Sequence, residues 1–90
     1  MDEPLIEMHC IVKGVVQGVS FRATTRKHAL RLGISGHVKN LADGSVEIYA
    51  QGSKPLLEEL LSALKNEPFP IRVDSYLTEF YSNQVAVYPS

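Results

Sequence analysis

An α+β fold with the element order βαββαβ is predicted by three features of the sequence. Four segments alternate apolar and polar residues with the period of a half-buried strand, two others repeat apolar residues at helical spacing, and turn-forming residues separate them. The 90 residues are 44% hydrophobic and 21% charged, the balance of a folded domain with a single core. The whole chain, 1–90, reads as one domain, because no repeat, low-complexity tract or Pro/Gly/Ser-rich linker divides it.

The first strand is residues 5–13, where Ile6, Met8, Cys10 and Val12 alternate with Glu7, His9 and Lys13 and the even positions face inward, although Ile11 breaks the polar phase. Residues 14–20, GVVQGVS, read as a loop. A helix begins near Phe21, with Phe21, Thr25, Ala29 and Leu32 close to helical spacing. Arg31 suits the negative end of its dipole, and Gly33 is placed to close it. Ile34, Gly36 and Val38 then alternate with Ser35, His37 and Lys39, and Val46, Ile48 and Ala50 with Glu47, Tyr49 and Gln51. These two strands form a hairpin about the tight-turn pair Asp43-Gly44. Leu56, Leu57, Leu60, Leu61 and Leu64 make the apolar stripe of a second helix, with Ser53 as its N-cap, Pro55 in its first turn and Pro68 beyond its end. Ile71, Val73, Ser75 and Leu77 alternate with Arg72, Asp74, Tyr76 and Thr78 as the fourth strand, and residues 85–88 have the composition of a short fifth strand at an edge. Helices and strands that are each apolar on one side bury everything if both helices lie on the same face of an antiparallel sheet. That arrangement is the ferredoxin-like split βαβ fold.

Composition narrows the function classes. Lys+Arg number 9 against Asp+Glu 10, so no excess of positive charge draws the chain to nucleic acid. The third strand, GSVEIYAQG, lacks the basic, aromatic motif of an RNA-recognition module. A single cysteine, Cys10, forms no internal disulfide, which fits a cytoplasmic protein; in phase with the inward residues of its strand, it reads as a buried structural thiol. The N-terminus, MDEPLIEMH, is acidic where a signal peptide is basic, and no apolar run approaches the roughly 18 residues of a membrane span. The charge pattern suits a monomer.

Candidate chemistry concentrates between the first strand and the first helix. A Gly-containing loop running into a helix start can turn several N–H groups toward one oxyanion, although two glycines four apart are often only a turn. Without a following Gly-Lys-Ser/Thr, the segment is no nucleotide-binding P-loop. Arg22 opposes the positive end of the helix dipole, a conflict that a bound anion would remove; a solvated face or a nearby carboxylate partner is the alternative. Ser20 reads as an N-cap in preference to a nucleophile. His9, His28 and His37 lack the spacing of metal ligands, so no metal is expected. Asn40 is either a turn residue or a carboxamide placed to hold a water molecule.

GVVQGVSFR at residues 14–22 and GISGHVKNLADGSVEIYAQG at residues 33–52 closely resemble the two signature blocks of the acylphosphatase family, in the right succession and over nearly the whole chain. The resemblance implies an enzyme that cleaves the mixed anhydride of a carboxylic acid and phosphate to a carboxylate and inorganic phosphate, without metal or cofactor. It implies that the backbone of Val16, Gln17, Gly18, Val19, Ser20 and Phe21 cradles the phosphoryl oxygens. Arg22 is then the cationic phosphate ligand and Asn40 the residue that orients the attacking water. The expected ligands are a small acyl phosphate and, at the same site, inorganic phosphate or sulfate. His37 departs from the pattern, since family members often carry an aromatic residue, usually Trp, at that position; it is expected to affect packing at the surface and not the chemistry.

Overall fold

The computed structural model describes residues 4–82, and the fifth strand expected at residues 85–88 lies outside them. The chain runs β1 (Ile6–Val15), α1 (Phe21–Leu32), β2 (Ser35–Asn40), β3 (Val46–Gly52), α2 (Lys54–Lys65) and β4 (Arg72–Ser82). The strands pair antiparallel in the order β2-β3-β1-β4. This is the predicted split βαβ arrangement.

Strand periodicity and helix stripes meet in one core. Met8, Cys10 and Val12 of β1 and Val46, Ile48 and Ala50 of β3 are buried on one face, under Leu57, Leu60, Leu61 and Leu64 of α2 and Phe21 and Thr25 of α1. Fully burying a side chain such as Phe21 or Leu60 contributes about 1.5–3 kcal/mol, so these few contacts hold the helices to the sheet. Gly33 ends α1 in the left-handed conformation, its N–H returning to the helix. Ser53 does precede α2, but its side chain makes no cap hydrogen bond.

Two sequence expectations are corrected. Gly14, expected in the loop, belongs to β1 and pairs with Val73. Its φ is 141°, and a Cβ there would collide with the Arg72 carbonyl oxygen, so the close approach of β4 requires glycine. Second, the alternation that puts Leu77 in phase with Ile71 and Val73 does not run through β4: Ile71 is buried, while Leu77 is 73% exposed. Lys13 pairs with Ser75 but Gly14 with Val73, so Asp74 is an extra residue in β4. A bulge of one residue reverses every later side chain. Beyond it Thr78 points inward, and its hydroxyl donates to the Cys10 Sγ at 3.2 Å. The β2–β3 hairpin turns at Asp43-Gly44 as expected, within a connection of five residues, 41–45: Gly44 N–H donates to Leu41 O, and Leu41 N–H to Ser45 O.

Register decides where the functional end lies. Asn40 pairs with Val46, and Val46 with Val12, so β1 and β2 run in the same direction and finish at the same end of the sheet. The loop leaving β1 and the last residue of β2 therefore share that end, separated by β3. Alternation from buried Val38 turns Asn40 to the helix-covered face.

Candidate active site

Two buried side chains suspend the loop. Val16 and Phe21 are each 1% exposed, while Gly18 and Ser20 between them stand in solvent. Gly18 has φ 76° and Ser20 φ 62°, and Val19 between them keeps a negative φ. Alternation of hand along successive residues can turn their N–H groups to one side, as in anion-binding nests. The first helical bond of α1 runs from Thr24 N–H to Ser20 O at 3.0 Å. Among the described residues, no backbone carbonyl accepts from the N–H groups of Gln17, Gly18, Val19, Ser20 or Phe21. A concentration of free donors thus lies at the positive end of a helix dipole.

Ser20 does not act as the expected N-cap. Its backbone is left-handed, not extended, and its hydroxyl makes no cap bond. An L-residue in that conformation carries strain of order 1 kcal/mol, held here by the buried residues around it. Ser20 shapes the loop through its backbone, and its hydroxyl caps nothing. Ser20→Ala is therefore expected to keep the acyl phosphate turnover that the acylphosphatase resemblance implies within about twofold of the parent, read in a steady-state assay. Complete loss of activity in a folded variant would return the hydroxyl to the chemistry.

Arg22 occupies the second position of α1 and is exposed. No carboxylate forms a salt bridge with it among the described residues, and no acidic residue occupies the first turn. The carboxylate partner left open by the sequence is not found there. Asn40 is likewise exposed at the end of β2. The loop, Arg22 and Asn40 thus lie at one end of the sheet, on its helix-covered side.

A side chain links these parts. The Gln17 amide Nε2 donates to the Leu41 carbonyl at 2.8 Å and to the Ser45 carbonyl at 2.8 Å, which joins the loop to the turn after Asn40. Ser45 is 3% exposed and is itself held by Asp43, whose carboxylate accepts from the Ser45 hydroxyl and, at 3.0 Å, from its N–H. The Ser45 hydroxyl, then its backbone N–H, holds the Asp43 carboxyl below its ordinary value. Asp-Gly-Ser carries the mark of such an Asx-type turn, and that part was readable. Nothing in the spacing announces the side chain of Gln17.

The histidines are engaged elsewhere. His9 Nε2 donates to Glu47 at 2.8 Å on the open face of the sheet, where Tyr49 stacks on His9 at 4.5 Å and lies against His37 at 4.9 Å. His37 thus packs at the surface, as expected. His28 Nε2 donates to Glu67 at 2.6 Å, while Arg31 donates to the other ring nitrogen. Among the described residues no three His, Cys, Asp or Glu side chains converge as metal ligands. Burial pushes the Cys10 thiol up, against the smaller effect of the Thr78 hydroxyl, so it is an inert core residue. No helix among the described residues is long and apolar enough to cross a membrane.

Comparison with known proteins places this architecture. The acylphosphatase family profile matches residues 8–87. An acylphosphatase from Caldivirga maquilingensis is 46% identical over 77 residues, which cover 84% of this chain and 81% of that one. One from Thermus thermophilus is 51% identical over 65 residues, covering 72% and 74%. The crystal structure of acylphosphatase from Bacillus subtilis superposes with a TM-score of 0.82 at 34% identity, over 89% of this chain and 88% of that one. With family profile, relatives and fold in agreement, this chain belongs to the acylphosphatase family.

Proposed function

We propose that the chain hydrolyses acyl phosphates by capturing the phosphoryl group on the backbone of residues 16–21 and on Arg22, while Asn40 orients the attacking water. One observation carries the reading: among the described residues, a run of backbone N–H groups without protein acceptors leads into α1, whose second residue, Arg22, forms no salt bridge, at the sheet end where Asn40 stands. The relatives named acylphosphatase support the same reaction.

The chemistry suits so spare a site. The leaving carboxylate has a conjugate acid of pKa about 4, so it departs without a proton donor from the protein. Phosphoryl transfer passes through a loose transition state with negative charge on the equatorial oxygens, which fixed amides and Arg22 stabilise without reorganising. Water must be in line with the breaking bond. The Asn40 carboxamide can donate and accept, so it can hold water in that direction, and the substrate's phosphate oxygens take the proton as the bond forms. No metal or cofactor enters this scheme, and a cytoplasmic setting suits the reduced Cys10.

Turnover of benzoyl phosphate by the purified protein, with a chelator present, tests the reading. Sustained release of phosphate is expected. Phosphate binding that saturates without turnover would instead make the chain a phosphate sensor on the same fold.

A further inference from the structure

The side chain of Gln17 spans the gap between the two halves of the site. β1 and β2 are separated by β3, so their ends lie roughly 10 Å apart, and backbone pairing alone does not extend to the loop beyond Val15. Both hydrogens of the Gln17 amide are used, one on Leu41 O and one on Ser45 O. Those carbonyls also accept within the turn, from Gly44 N–H and Leu41 N–H. Two acceptors with two lone pairs each are thereby filled, and the turn is closed from inside and braced from outside. Asp43 holds Ser45 in place from the far side. Asn40 directly precedes this braced turn.

We infer that Gln17 is a positioning residue, which sets the phosphate loop at a fixed distance from Asn40 and so aligns the water with the captured phosphoryl group. This rests on the hydrolase reading above. Gln17 touches phosphate through its backbone at most; its side chain acts through the 41–45 turn. A misplacement of about 1 Å between reacting groups costs up to 10²-fold in rate, whereas phosphate capture depends on the loop and Arg22 and survives a small displacement from Asn40.

Gln17→Met keeps the length and apolar stem of the side chain and removes both donated bonds. With benzoyl phosphate its kcat is expected to fall about tenfold or more, while competitive inhibition by inorganic phosphate stays within about threefold of the parent. In an Asn40→Ala background the same substitution is expected to cost less than about twofold, because the water it aligns is already lost. A purely structural role gives another pattern, with a lower Tm and either unchanged kcat or the full loss repeated beside Asn40→Ala. Either result overturns the inference. If Gln17→Met does not fold, Gln17→Asn, which keeps the amide one methylene shorter, reads the same split; failure of both to fold makes Gln17 structural and also overturns it. A parent protein that releases no phosphate sinks the hydrolase reading, whereas an active parent with unchanged variants sinks only the role of Gln17.

Discussion

Arg22→Ala is expected to lower kcat/KM for benzoyl phosphate by about 10³-fold or more and to abolish competitive inhibition by phosphate. The guanidinium is the one side-chain cation in the proposed nest, and its removal leaves only backbone dipoles to meet the charge of the transition state. Its contribution to stability has the opposite sign. A cation in the first turn of α1 is repelled by the helix dipole by about 0.3–1 kcal/mol, and Arg22 forms no salt bridge among the described residues to offset this. Arg22→Ala should therefore unfold at the parent's temperature or slightly above it. A variant that is inactive because it is unfolded, or one that is folded and active, contradicts this account; calorimetry beside the assay separates the cases.

Asn40→Ala has the second largest expected effect and a different signature. The carboxamide lies at the end of β2, exposed, with its strand pairing to Val46 made by backbone alone. Truncation leaves that pairing in place. The expected result is a fall in kcat of about 10²-fold, with inhibition by phosphate close to the parent's, because capture and water alignment are assigned to different residues. A near-normal kcat would remove the water role from Asn40. Equal losses in kcat and in phosphate affinity would place Asn40 in the binding nest.

The elements legible in the sequence were those whose pattern one strand or helix carries alone. Alternation at Met8, Cys10 and Val12, and the leucine stripe of α2, gave the core face directly, because burial on one side imposes those periods. What failed depended on a partner. Alternation continues smoothly past Asp74 and puts Leu77 in phase with Ile71 and Val73; the bulge exists only in pairing with β1, and no local residue pattern marks it. Gly14 reads as a strand breaker until β4 is laid beside it, when its missing side chain becomes the reason pairing can continue. Ser20 has the composition of an N-cap and the backbone of a left-handed turn, a conflict that only the loop's burial at Val16 and Phe21 resolves.

Site residues divide in the same way. Arg22 is conspicuous because it breaks a helix rule, whereas Asn40 ends the alternation of β2 beside the Asp43-Gly44 turn and is set apart from a turn residue only by the second signature block, 33–52, in which it lies. Gln17 was expected to contribute only its backbone. Its side-chain acceptors lie 24 and 28 residues away, a separation over which spacing carries no information. Such ties are visible only when the two loops have been brought to the same end of the sheet.

Titration of the ¹⁵N-labelled protein with inorganic phosphate tests the central claim most directly. The account predicts saturable shifts confined to the amides of residues 16–22 and the Arg22 side chain, absent in Arg22→Ala. Saturable shifts on the open sheet face around His9 and Tyr49, with residues 16–22 unmoved, would contradict it.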